Sequence, residues 1–168
     1  MKHTISVLVE NTSGVLSRIT GLFSRRGFNI DSLAVGITDD PAISRVTIVA
    51  DGDEHTVEQL EKQLNKLIDV IKVKSFNPDE MISRELVLVK VNCSSDQQRS
   101  EIMNIVSLTD AKIVDITPST VTIEISDWAV KLRNFEDLIR PYGILEMVRT
   151  GVVAIQRGAK EITEKKKK

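Results

Sequence analysis

The apolar pattern of this chain changes period in the same order twice, and that order leaves few folds open. Ile5, Val7, Leu8 and Val9 form a short apolar strand that runs into Asn11-Thr12-Ser13-Gly14. Val15, Leu16, Ile19, Leu22 and Phe23 then fall on one face of a helix, which Gly27 closes. A strand from Phe28 to about Thr38 follows, and Asp39-Asp40-Pro41 turns it into a strand over Arg45–Ala50. Asp51-Gly52-Asp53 makes the next turn, with Asp53 placed to cap a helix carrying Val57, Leu60, Leu64, Leu67 and Ile68. A strand from about Val70 to Phe76 completes a β-α-β-β-α-β series.

Asn77-Pro78-Asp79-Glu80 interrupts the pattern, and the series then restarts. Leu86–Val91 is an apolar strand, and Ser95 to Gln98 has the spacing of a capping box ahead of a helix with Ile102, Met103 and Val106. Ile113–Thr117 and Val121–Ile125 are strands around Pro118-Ser119. Trp128, Leu132, Phe135, Leu138, Ile139 and Tyr142 mark a second helix closed by Gly143, and strands over Ile144–Val148 and Val152–Ile155 end the half. The expectation is an α+β chain of two tandem ferredoxin-like domains, each an antiparallel sheet with helices on one face. Their bounds are residues 1–77 and 85–158, with a linker over 78–84 and a flexible tail over 159–168.

Composition excludes several classes. A net charge of -1 gives no general pull toward nucleic acid or an anionic membrane. No apolar run approaches the ~18 residues that span a bilayer. The first residues enter a strand without a signal-peptide pattern, and Cys93 is the single cysteine, so a cytoplasmic chain without an internal disulfide is expected. Cys93 reads as a structural thiol and His3 and His55 as ordinary surface residues. The acidic turn Asp51-Gly52-Asp53-Glu54 suits a helix start better than a cation, and the terminal lysines have no folded context. Neither a Walker loop nor a G-x-G-x-x-G or G-x-S-x-G motif is present. The expectation is a non-catalytic chain with no metal and no cofactor of its own.

The turn Asn11–Gly14 has two readings. It is an ordinary turn with cap chemistry, or it is a seat for a small anion or zwitterion at the helix start, where free N–H groups and the helix dipole favour a carboxylate. The amides of Asn11 and Asn29 suit the second reading, since each offers a donor and an acceptor. Leu16, Ile30 and Val35 give an apolar setting with no long charged side chain, which fits a free aliphatic amino acid. The corresponding turn of the second half, Asn92–Asp96, has no glycine and carries an acidic residue, so any ligand is expected in residues 1–76. A chain cut beyond about Ser83 should then keep the pocket.

Three stretches of the first half carry a family resemblance: SVLVENTSGVLSRITGLFSRRGFNIDSL, TDDPAISRVTIV and EQLEKQLNKLIDVIKV, joined in the second half by RELVLVKV, IVDITPS and RTGVVAIQRG. Together they resemble the small regulatory subunits of acetolactate synthase (acetohydroxyacid synthase) from Thr4 to about Gly158. The resemblance implies an N-terminal ACT domain and a C-terminal ACT-like domain in a homodimer. It also implies binding to a catalytic subunit that holds the thiamine diphosphate, with activation and feedback inhibition by valine or another branched-chain amino acid. By the same resemblance Asn11, Gly14, Val15 and Leu16 of one protomer face Asn29 and Ile30 of its neighbour, with Ser17 and Val35 in a second tier. An ACT-domain transcription regulator is the rival, but the chain lacks a helix-turn-helix or basic recognition surface. An acylphosphatase-type hydrolase would need an Arg in the first turn, and residues 11–17 contain none.

Overall fold

In a computed structural model, residues 2–162 are described; residues 2–82 and 152–162 form one compact unit and residues 83–151 another. The lysines at 165–168 lie outside the described residues, as does most of the expected tail.

The first unit runs β1 (Lys2–Glu10), α1 (Val15–Arg26), β2 (Ile30–Ile37), β3 (Ile43–Asp51), α2 (Glu54–Leu64) and β4 (Val70–Phe76). Its sheet has the order β2-β3-β1-β4, with antiparallel neighbours. Alternation sets its faces. Ile5, Val7 and Val9 of β1 and Val46, Ile48 and Ala50 of β3 pack under Val15, Ile19, Leu22 and Phe23 of α1 and Val57, Leu60 and Leu64 of α2. Gly27 closes α1 in the left-handed region, as its position suggests. Phe28 is not part of β2; it packs against the core, edge-to-face on Phe23 with ring centroids 6.4 Å apart, and the strand begins at Ile30.

Helix α2 is shorter than its apolar spacing suggests. It ends at Leu64, where the Asn65 side chain donates to the Glu61 carbonyl, and Ile68 lies beyond it, 94 % exposed. Its start is capped by Asp53, whose Oδ1 accepts from the Thr56 N–H at 2.7 Å. The Thr56 hydroxyl and then the Thr56 N–H, both directed at the carboxylate, hold the Asp53 carboxyl below its ordinary pKa. A depressed folded pKa gives stability that is present above the unfolded carboxylate pKa and lost as pH falls through the folded value. Asp53→Asn keeps a capping oxygen without a titration. It is therefore expected to match the parent near neutrality and to show a smaller loss of stability between pH 5 and pH 3, read from urea unfolding midpoints.

The expected linker is a 3-10 turn over Pro78–Glu80 that passes directly into β5 (Met81–Asn92). The second unit continues with α3 (Asp96–Leu108), β6 (Lys112–Ile116), β7 (Thr120–Asp127), α4 (Ala129–Ile139) and β8 (Ile144–Arg149), in the sheet order β6-β7-β5-β8. Val87, Val89, Val91, Ile123, Ile102, Leu132 and Phe135 are among its core residues, and Cys93 is fully buried with them. Ser95 caps α3 by accepting from the Gln98 N–H, while Gln98 Oε1 reaches back to Ser94 and not to Ser95. Three residues assigned to core faces by spacing lie outside: Met103, Trp128 and Leu138 are exposed, because Trp128 is only the cap of α4 and the other two lie off the buried stripes. Arg149 bridges the buried Glu136 and, at 3.4 Å, Glu85.

The last strand, β9 (Val153–Gln156), follows the second unit in sequence, belongs to the first and pairs with β5. The helix-free face of the first sheet is not a wet surface: Thr4, Ser6, Leu8, Thr47 and Val49 are buried there, and Arg45 donates to Ser6 Oγ at 2.7 Å. Val152 N–H donates to Ser32 Oγ of β2 at 2.7 Å, and Gln156 Oε1 accepts from Lys74 Nζ of β4. Ser32 and Lys74 alternate with the core-facing Leu33 and Val73, so both point to the helix-free side, at opposite edges of the sheet. Three strand spacings measure about 14 Å, and four residue steps of extended chain reach about 13 Å. The segment thus crosses the whole sheet, with Ala154 buried between the exposed Val153 and Ile155.

Candidate functional site

Gly14 precedes α1 with φ 85°, in the left-handed region, and no side chain caps the helix. The first intrahelical bond is Arg18 N–H to Gly14 O, so the amides of Val15, Leu16 and Ser17 open toward the turn. By contrast, α2 and α3 have their starts covered by Asp53 and Ser95.

Arg18 is the residue that sequence reasoning missed. Its Nη1 lies 3.3 Å from the point a Cβ on Gly14 would occupy, and its Nε donates to Asp69 Oδ2 at 2.7 Å. The turn therefore sits at a helix N-terminus beside a tethered guanidinium, not in the charge-free setting read from Leu16, Ile30 and Val35. The signal was present: Arg18 is four residues after Gly14, one helical turn along the same side. Its anchor, Asp69, lies 51 positions away and carries no local cue.

Asn11 is held at this turn by two bonds, its N–H to Ala42 O at 2.7 Å and its side-chain amide to Pro41 O at 2.9 Å. Asn29 is elsewhere. Glu10 pairs with Ile43, and Ile37 with Ser44, at one end of the sheet, whereas Ile30 pairs with Ala50 at the other. The length of β2 separates them, on the order of 20 Å. Asn29 donates there to Asp31 Oδ1 at 3.0 Å, and Lys2 contacts the other Asp31 oxygen at 3.3 Å. Within one chain the two amides cannot share a small ligand. Val15 is buried, Leu16, Ser17 and Val35 are exposed, and Ile30 is half-buried. Strand β2 is a sheet edge, with Val35 48 % and Ile37 64 % exposed along it.

Of the other candidates, His3 Nε2 lies 3.1 Å from Gly52 O and His55 is exposed. Among the described residues no group of three His, Cys, Asp or Glu is arranged to hold a metal ion, and no helix is long and apolar enough to cross a membrane.

The fold defines a tandem ACT-like protein. The family model of the acetolactate synthase (AHAS) small subunit-like ACT domain matches residues 5–72, and that of the small subunit of acetolactate synthase matches residues 84–158. A probable acetolactate synthase small subunit of Methanothermobacter thermautotrophicus is 47 % identical over 94 % of each chain. The acetolactate synthase small subunit of Mycolicibacterium smegmatis is 47 % identical over 95 % of this chain and 94 % of its own. The crystal structure of the acetolactate synthase small subunit from Thermotoga maritima superposes with a TM-score of 0.87 at 38 % identity, covering 95 % of this chain and 99 % of that one. The chain belongs to the family of acetolactate synthase small subunits.

Proposed function

We propose that this chain is the cytoplasmic, non-catalytic regulatory subunit of acetolactate synthase, that it activates a thiamine-diphosphate-dependent catalytic subunit, and that it confers feedback inhibition by valine or a related branched-chain amino acid. Membership of the small-subunit family is the observation that carries this reading. The effector site is proposed at the Asn11–Leu16 turn of one copy together with Asn29 and Ile30 of a second, with Ser17 and Val35 at its margin.

The geometry supports the two-chain form of that site. An antiparallel, two-fold pairing of edge strand β2 with its own copy brings each Ile30 end beside the other's Ile37 end, next to the Asn11 turn. It also brings opposite polarities together. One end offers Arg18 and three helix amides, suited to a carboxylate, and the other offers Asn29 and Asp31, suited to an ammonium. Leu16, Val35 and Ile37 supply apolar surface between them.

The test is reconstitution. Acetolactate formation by the cognate catalytic subunit is expected to rise when this chain is added and to fall again with valine, while the chain alone forms none. Acetolactate from the pure chain, or a holoenzyme indifferent to this chain, refutes the reading.

A further inference from the structure

We infer that Asp69 is a positioning residue of the effector site: it holds the Arg18 guanidinium where Arg18 reads the carboxylate of the ligand. The inference deepens the effector reading above and rests on it. Asp69 lies in the loop between α2 and β4 and is fixed through both its backbone and its side chain. Its carbonyl accepts from the Glu10 N–H at 2.9 Å, at the last residue of β1 and next to Asn11. Its Oδ2 accepts from Arg18 Nε at 2.7 Å, with only 12 % of the side chain exposed. All of these groups belong to the first unit.

Charge alone does not account for the pair. A carboxylate at this place repels an anionic ligand and offsets part of the attraction of Arg18. Stability does not account for it either, since the Arg18 side chain is half in solvent and exposed ion pairs add little to folding. Geometry does. An untethered arginine samples many rotamers, and ordering it when ligand arrives weakens binding. Asp69 takes Nε, which fixes the plane of the guanidinium and keeps the Nη donors for a second carboxylate. Nη1 is thereby held 3.3 Å from the point a Cβ on Gly14 would occupy. The turn beneath it is tied down from another loop, through the bonds of Asn11 to Ala42 O and Pro41 O. Guanidinium and turn are both in place before the ligand binds, so little reorganisation is left to oppose it.

The test is a double-mutant cycle on the full chain, read as valine affinity by calorimetric titration, with urea midpoints measured alongside. Arg18→Ala is expected to weaken valine binding by about 10- to 100-fold, the range of hydrogen bonds to charged groups. Asp69→Ala is expected to weaken it by about tenfold although it removes a negative charge, and to have almost no effect once Arg18 is alanine. Additive losses, the mark of a merely structural role, overturn the inference. Valine binding to Asp69→Ala at wild-type affinity or tighter overturns it as well. Arg18→Lys keeps the charge at an exposed helix position without the Nε that Asp69 holds, so it tests the same point without any Asp69 variant having to fold. It is expected to lose about tenfold in affinity, and wild-type affinity in this variant overturns the inference. Failure of the wild-type chain to bind valine overturns the effector reading itself, and the wild-type titration shows this before any variant is compared.

Discussion

Replacing Gly14 with aspartate is expected to give a subunit that still activates its catalytic partner and no longer answers to valine. At φ 85° any side chain is strained, by roughly 1–2 kcal/mol for the left-handed region, and aspartate tolerates it better than most. Domains are stable by about 5–15 kcal/mol, so the fold survives. Binding is where the large loss falls. The new carboxylate would stand beside Arg18, taking the guanidinium that the ligand needs, and would face the ligand's own charge at the start of α1. Like charges ~4 Å apart at an effective dielectric near 20 repel by about 4 kcal/mol. Arg18 offsets part of this, leaving an expected affinity loss on the order of a hundred- to a thousandfold. Gly14→Asn has nearly the same shape and no charge, so it should lose far less affinity. Calorimetric titration of both variants separates charge from bulk. Inhibition of the aspartate variant at wild-type valine concentrations removes the site from this turn.

Arg18 also shows why the first unit was readable from sequence only in part. Strand–helix order, the capping role of Asp53 and the helix-closing Gly27 rest on neighbours within four residues, and periodicity carries such information. Pairing between Arg18 and Asp69 depends on where α1 and β4 are laid on the sheet, which periodicity does not encode. Asn11 and Asn29 both read as ligand-type amides in the sequence, yet the distance between them is set by the register of β2 on β3. The exposed Met103, Trp128 and Leu138 illustrate the converse. Apolar residues near a helical spacing are counted into a face by sequence, although apolar side chains on a protein surface are common.

The crossing segment was the least legible element, and it alters what a truncated chain should do. Sequence spacing placed Val152–Ile155 at the end of the second half, which suggested that a chain ending at Ser83 would keep an intact pocket. In the structure such a chain lacks three hydrogen bonds, from Val152 to Ser32, from Lys74 to Gln156 and from Arg157 to Glu80. At about 1 kcal/mol each they amount to about 3 kcal/mol. Leu8 and Val49 are buried on the same helix-free face, where burial of a large side chain is worth about 1.5–3 kcal/mol. Against a typical stability of about 5–15 kcal/mol, the 1–83 fragment is expected to be marginal and to self-associate through that face. A chain in which residues 84–150 give way to a flexible Gly/Ser linker keeps the segment from Gly151 onward. It should unfold at a clearly higher urea concentration than the fragment, and remain dimeric where the fragment aggregates. Equal midpoints for the two would mean that the segment lies on the sheet without stabilising it.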